Sequence, residues 1–250
     1  MNNGYQSTFQ RIEIKYLLSD IQYRALRARL RDIAEVDAYG RTSILNIYYD
    51  TPDDTLIRRS LEKPVYKEKL RLRTYGTPSD RSPAFVEIKK KYNGVVYKRR
   101  VSLPYDEACE FLNGKQLNGR QLADTRGLNA QIIGEIEYFK DFYKKLAPAM
   151  VISYDRIAMA GIGDKGLRLT FDDHIRYRTG SMDLRAGNGG RELLSPGQHL
   201  LELKVDGAIP LELAHIFADL HIVPCSFSKY GRGYEDRCRR SISVKKRSAA

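Results

Sequence analysis

Several short stretches of this chain set charged side chains two residues apart, with an apolar residue between them. Arg71 and Arg73 alternate with Leu70 and Leu72, and Glu87 and Lys89 with Val86 and Ile88. Lys98, Arg100 and Ser102 oppose Val95, Tyr97 and Val101; Arg168, Thr170 and Asp172 oppose Leu167, Leu169 and Phe171; Glu202 and Lys204 oppose Leu201, Leu203 and Val205. On an extended strand, side chains two apart share a face. Each stretch therefore has one apolar and one polar face, and Arg and Lys dominate the polar one. Two like charges about 4 Å apart cost roughly 1 kcal/mol in water and about 4 kcal/mol at an intermediate dielectric. Such a face is tolerable if it binds a polyanion. Arg forks match phosphate oxygens in pairs and Lys supplies point charges. A carboxylate among them could hold a divalent cation that grips phosphate in turn.

The densest case is FVEIKKKYNGVVYKRR at 85–100, with six Lys or Arg around Asn93-Gly94. Asn-Gly between extended runs is a strong hairpin signal. Parity divides the charge: Lys89, Lys98 and Arg100 share a face with Glu87, while Lys90 and Arg99 point the other way. Lys91 has the parity of Lys89 but lies close to the turn, at the rim.

These stretches need strands to carry them. Alternation predicts strands at 10–18, 43–50, 65–75, 84–92, 95–103, 150–158, 166–178 and 199–205. Ser19 predicts the cap of a helix reaching about residue 35, and further helices are expected at 104–112, 130–146, 210–220 and 229–243. Residues 114–129 and 180–198 read as loops, the second a mobile one, and 244–250 as a disordered basic tail. Eight strands with few helices between them predict an antiparallel α+β domain over 1–243. The chain has 250 residues, 42% of them hydrophobic, and a net charge of +12, which favours an anionic partner. No apolar h-region opens the sequence and no run reaches the length of a membrane span. Cys109, Cys225 and Cys238 have no metal-ligand spacing and suit a reducing, cytoplasmic setting.

In order along the chain, RIEIKYLL (11–18), YYDTPDDT (48–55), KEKLRLRTYG (67–76), FVEIKKKYNGVVYKRRV (85–101), SYDRIAMAG (153–161), GLRLTFDD (166–173), LLELKV (200–205) and SFSKYGRGYE (226–235) resemble a VTC domain. That is the polyphosphate polymerase domain of the vacuolar transporter chaperone family, in the CYTH-like superfamily of triphosphate tunnel metalloenzymes. The resemblance implies an eight-stranded antiparallel β-barrel enclosing a triphosphate tunnel, with helices outside. It implies transfer of the γ-phosphoryl group of ATP to inorganic polyphosphate, with Mn²⁺ or Mg²⁺. It carries catalytic roles to Arg71, Arg73, Lys89, Arg156, Arg168 and Glu202, and phosphate binding to Lys15, Lys98, Tyr154, Ser228 and Lys229. Arg100 joins the phosphate binders by its parity with Lys98. Glu202 is the implied metal ligand, with Glu13 and Glu87 as secondary candidates.

Many tunnel enzymes open with an ExExK motif; here Arg11 stands where the first Glu would be, which removes one metal carboxylate. This fits the VTC branch better than the thiamine-triphosphatase and cyclase branch. The expected partners are ATP and polyphosphate, without nucleic acid, since the basic face is mostly free of the aromatics that stack RNA bases. A membrane-protein partner is compatible with the family. A tunnel triphosphatase or polyphosphatase, and a non-catalytic polyphosphate-binding module, stay open as alternatives.

Overall fold

The computed structural model describes residues 11–93, 95–117 and 128–248, apart from the side chains of 11, 128 and 244–248. In chain order the elements are β1 (Arg11–Ser19), α1 (Asp20–Arg29), β2 (Ala34–Asp50), α2 (Thr55–Leu61), β3 (Tyr66–Tyr75), β4 (Pro83–Tyr92), β5 (Val95–Pro104) and α3 (Tyr105–Leu112). There follow α4 (Leu128–Tyr143), β6 (Ala147–Gly161), β7 (Arg168–Arg178), β8 (Arg191–Glu192), β9 (Gln198–Asp206), α5 (Leu211–Asp219), β10 (Pro224–Cys225) and α6 (Lys229–Ser248). This is an antiparallel, sheet-rich α+β fold with six helices among the described residues.

The chain divides into two compact units. Unit 1 comprises 1–42, 155–173 and 194–227; unit 2 comprises 43–154, 174–193 and 228–250. Strands β2, β6 and β7 lend one part to each. Within unit 1 the strands follow the order β10-β1-β9-β7-β6-β2, and within unit 2 β7-β6-β2-β3-β4-β5 with β8 beside β7. In neither unit does the run close on itself among the described residues, so the closed eight-stranded barrel is not shown.

Parity builds both units. In unit 1, Tyr16, Leu18, Leu169, Phe171, Leu201 and Leu203 face Leu26 and Leu30 of α1 and Leu213 and Phe217 of α5. The Tyr16 and Phe217 rings meet at 4.8 Å. In unit 2, Leu70, Leu72, Val86, Ile88 and Val101 form a core with Phe111 of α3 and Ile132, Ile136 and Phe139 of α4. Helices can cover only the apolar face, so the alternate residues of β3, β4 and β5 are left to the opposite one. Arg99 lies on the helix side and pairs with Glu135 at 2.9 Å, as its parity requires.

Three local features depart from the sequence expectations. First, α1 stops at a Leu30 cap and β2 starts at Ala34, because Leu30 and Ala34 are already buried in the unit 1 core. Second, α2 has no periodicity long enough to read, yet Asp50 secures it. The Asp50 carboxylate, 1% exposed, accepts from the Thr51, Leu56 and Ile57 amides at 2.9, 2.8 and 3.0 Å and from the Tyr230 hydroxyl at 2.8 Å. Third, 180–198 is ordered. The Arg178 guanidinium donates to the carbonyls of Ser181, Asp183, Gly187 and Gly189, and a 3₁₀ turn spans Leu184–Ala186. Gly content there serves turns rather than mobility.

Helix α6 lies close against its own unit. A Cβ on Gly233 would come within 2.6 Å of Met150 Sδ and 3.3 Å of Tyr177 Cβ, so a larger residue there would force Met150 to shift. The helix expected at 229–243 continues to Ser248, across most of the expected tail. Asn93 takes the left-handed φ of 43° suited to a hairpin turn; Gly94 lies outside the described residues.

Asp50 joins β2, α2 and α6 through one buried carboxylate. Asp50→Ala is expected to cost about 2–3 kcal/mol of unfolding free energy, because two helix-start amides and a buried hydroxyl lose their acceptor. Urea denaturation measures this; a loss below about 0.5 kcal/mol would show that water replaces the carboxylate.

Candidate functional site

The register of β3, β4 and β5 sets the charged residues of unit 2 in rows, since directly paired residues share a face. Lys69, Lys89 and Lys98 stand abreast; next come Arg71, Glu87 and Arg100; then Arg73, Phe85 and Ser102. Five of the six residues in the first two rows are cationic. The exception, Glu87, is only 1% exposed and sits at the centre.

Glu87 organises its neighbours. Arg71 donates to Glu87 Oε2 from Nε at 2.7 Å and approaches the same oxygen through Nη2 at 2.6 Å. Lys98 Nζ lies 2.7 Å from Oε1, and Arg73 Nε 3.8 Å from Oε2. Burial alone would push the carboxyl pKa up; Arg71, Arg73 and Lys98 overcome it and bring the value to about 2. Lys98 moves the opposite way. Desolvation pulls it down to about 8 despite Glu87, with Arg73 and Arg71 adding repulsion.

A second set of groups fixes the arginines from the β2 and β6 side. Arg71 Nη1 donates to the Tyr48 hydroxyl at 3.0 Å, and the Tyr48 ring stacks on Tyr230 at 4.5 Å. Burial raises the Tyr48 pKa, but Arg71, Lys69 and Arg73 more than offset it and leave about 8. Arg73 Nε donates to Asn46 Oδ1 at 2.9 Å and Nη2 to the Tyr154 hydroxyl at 3.4 Å; Asn46 is itself held by the Ile152 carbonyl at 3.0 Å. Lys229 lies over the Tyr154 ring at 4.5 Å. Ser228 Oγ caps α6 by accepting from the Gly231 amide at 3.1 Å, and accepts from Lys69 Nζ at 3.3 Å. In unit 2, Arg71, Arg73 and Lys98 thus meet at Glu87, Tyr154 joins them through Arg73 and Lys229 through Tyr154, Ser228 meets Lys69, and Lys89 stands in register between Lys69 and Lys98. Arg100 shares the face, but its guanidinium lies 4.8 Å over the Phe85 ring.

Unit 1 holds the other candidates. On β1 and β9, Lys15 lies 3.4 Å from Glu13 and 3.7 Å from Glu202, and Lys204 lies 2.9 Å from Glu202 and 4.0 Å from Glu13. Two carboxylates and two ammonium groups alternate around a four-membered ring of charge. Arg156 makes a two-point bond to Asp172 at 2.6 and 2.8 Å, and Asp172 is fully buried. Arg168, half exposed, reaches Asp37 at 3.4 Å.

Two carboxylates bridged by lysines fit a hard divalent cation that takes its remaining ligands from phosphate and water. Glu202 and Glu13 are the pair that could hold such a cation. Among the described residues no group of three or more His, Cys, Asp or Glu side chains is placed to hold a metal ion. Glu87 acts as a counter-ion to Arg71 and Lys98, and its register rows on β3, β4 and β5 hold no second carboxylate.

Sequence reasoning missed Lys69, Tyr48, Asn46, Asp172 and Lys204. Lys69 and Lys204 were accessible through parity, with Arg71 and with Glu202. Tyr48 and Asn46 share a parity on β2, but nothing in 43–50 marks that face as charged. The long-range pairing of Asp172 with Arg156 has no local signal.

Glu87 should support stability above the ordinary carboxylate pKa and lose that support in acid. Its folded pKa is depressed to about 2, so the contribution fades as pH falls below about 4.5 towards 2. Glu87→Gln, which leaves three cations uncompensated, should cost about 3 kcal/mol at pH 7 and clearly less at pH 3. Urea unfolding of both proteins at the two pH values gives the difference; a gap that does not change with pH would assign the stabilisation elsewhere.

A family model for the VTC domain matches residues 10–236. Among solved structures, a candidate adenylate cyclase from Bacillus halodurans is similar with a TM-score of 0.52 and 15% identity, covering 88% of this chain and 95% of that one. A candidate adenylate cyclase from Vibrio parahaemolyticus has a TM-score of 0.47 and 13% identity, covering 91% and 98%. A Hippeastrum protein, a candidate adenylyl cyclase described as having a dominant triphosphatase activity, has a TM-score of 0.46 and 16% identity, covering 88% and 93%. No curated protein matches this chain. The Bacillus likeness supports a shared fold, and the matched span covers nearly all of the chain between its first strand and the middle of α6: this chain belongs to the VTC domain family.

Proposed function

We propose that this protein is a polyphosphate polymerase that transfers the γ-phosphoryl group of ATP to a growing inorganic polyphosphate chain. The observation that carries this reading is the set of Arg71, Arg73 and Lys98 fixed around Glu87 in a VTC-family chain. The closed eight-stranded tunnel and the cytoplasmic setting belong to the same reading; among the described residues no helix is long and apolar enough to cross a membrane.

Phosphoryl transfer asks little covalent chemistry of a protein. It asks for in-line positioning and for charge opposite the oxygens of the group in flight. Arg71 and Arg73 are suited to this because their side chains are held before substrate arrives. Arg71 is held by Glu87 and Tyr48, Arg73 by Asn46 and Tyr154. Preorganised donors need no rearrangement as charge develops. In this reading, Lys69, Lys89, Lys98, Ser228 and Lys229 hold the phosphates that do not react. A phosphate oxygen at the end of the polymer is already anionic, so the acceptor needs no strong base. Glu202 and Glu13 would hold the divalent cation, which when bound supplies positive charge to phosphate oxygens.

Incubation of the purified protein with ATP and Mn²⁺, resolved on a gel, tests the reading. Long polymer with ADP is the expected result; free phosphate without polymer would assign the protein as a hydrolase, and neither product with retained polyphosphate binding as a binding module. Arg71→Ala should lower kcat/KM by roughly 100-fold, the scale of losing one preorganised transition-state donor. An unchanged rate would remove Arg71 from the mechanism.

Affinity for polyphosphate should also depend on pH in a set direction. Lys98 is protonated below about 8 and loses its charge above it, while Tyr48 gains a negative charge over the same range. Both changes weaken anion binding as pH rises from 7 to 9. Titration calorimetry should show this fall in the wild type and a much flatter profile in the Lys98→Arg/Tyr48→Phe double variant. A flat wild-type profile would show that neither group faces the ligand.

A further inference from the structure

The phosphate-side face of β3 and β4 changes character at one end. Along β3 the same-face residues run Lys69, Arg71, Arg73 and then Tyr75; along β4 they run Lys89, Glu87 and then Phe85. The cationic rows thus end in two aromatic rings, which meet edge to face at 5.7 Å and 80°. Tyr75 is half exposed, at 50%. Arg100, on the neighbouring strand, places its guanidinium 4.8 Å over the Phe85 ring instead of beside Glu87, its direct register partner. A ring this exposed contributes little to a core, and the core of unit 2 lies on the other face of these strands.

From this we infer that Tyr75, Phe85 and Arg100 form a stacking platform for the base of a nucleoside triphosphate. The inference rests on the proposed phosphate grip and deepens it by assigning the nucleoside end. Same-face residues on a strand lie roughly 6.6 Å apart. Tyr75 therefore stands one such step beyond Arg73 and two beyond Arg71, a separation a ribose spans between its phosphates and its base. Aromatic rings and guanidinium planes both accept a nucleobase face, and the base can be any of the four, because every base has a π-face. Arg100 then serves the base, unlike Lys98, its neighbour in parity.

The arrangement also gives the face a polarity. With the base at Tyr75, the phosphates run towards Arg73, Arg71 and the lysine row. The γ-phosphoryl group then lies at Arg71, and the polymer end approaches across the lysine row from the side of Lys67 and Lys91. Inorganic tripolyphosphate uses the same cations but nothing at Tyr75.

That difference defines the test. Calorimetric titrations compare the imido analogue of ATP with inorganic tripolyphosphate, in wild type, Tyr75→Ala and Arg100→Gln. Tyr75→Ala should weaken the nucleotide analogue by about tenfold, the scale of losing one stacked base. Tripolyphosphate should change by less than about twofold, and Arg100→Gln should follow the same pattern. The corresponding GTP analogue should bind within a few-fold of the ATP analogue. Equal losses for nucleotide and tripolyphosphate, or no loss for either, would overturn the platform while leaving the phosphate grip intact. If wild type binds neither ligand, the grip itself fails, and the platform with it.

Discussion

One buried carboxylate balances the cationic face of unit 2. Glu87 is almost fully enclosed, and Arg71, Arg73 and Lys98 approach it from three sides. Without it, the paired rows of β3, β4 and β5 would set Lys and Arg against one another at separations where each pair costs about 1–4 kcal/mol. With it, one negative charge offsets part of the repulsion, and the arginines acquire fixed directions. It leaves a clear excess of positive charge, because five cations share its two rows. That excess is what a phosphate chain can neutralise.

The rest of unit 2 maintains this arrangement. Helices α3 and α4 take the apolar face of the strands, so neither covers the charged one. Tyr48 and Asn46 brace the two arginines from β2. Helix α6, tied to Asp50 through Tyr230 and close-packed at Gly233, brings Ser228 to Lys69 and Lys229 to Tyr154. In unit 1 the charge is balanced instead. Glu13 and Glu202 alternate with Lys15 and Lys204, and Arg156 is matched by Asp172. The two units thus differ in how their charge is arranged: cations crowd one carboxylate in unit 2, and carboxylates and cations alternate in unit 1.

Much of this was legible in the sequence because strand parity is a strictly local signal. Arg71, Arg73, Lys89 and Lys98 fall on one face by counting alone, and Arg99 on the other. The alternation of β3 to β5 and of β9 predicted those strands, and Asn93 takes the left-handed conformation its place in the hairpin calls for. What counting misses is contact between distant segments. Nothing near Glu87 in the sequence announces the three cations that surround it. Asp50 reads as the end of a strand, although it caps a seven-residue helix too short to announce itself. Gly-rich 180–198 reads as mobile because the four carbonyls that Arg178 binds carry no sequence signature. Arg100 shares parity with Lys98, yet the aromatic ring beside it redirects its side chain.

A crystal structure of the protein with inorganic tripolyphosphate tests the central claim most directly, because it reads the position of each phosphate without requiring turnover. The expected result is a phosphate chain along β3 and β4, with oxygens within hydrogen-bond distance of Arg71, Arg73 and the Lys69–Lys89–Lys98 row, and with Lys98 drawn away from Glu87. Phosphates bound elsewhere, with the Glu87 ion pairs intact and this face bare, would contradict it.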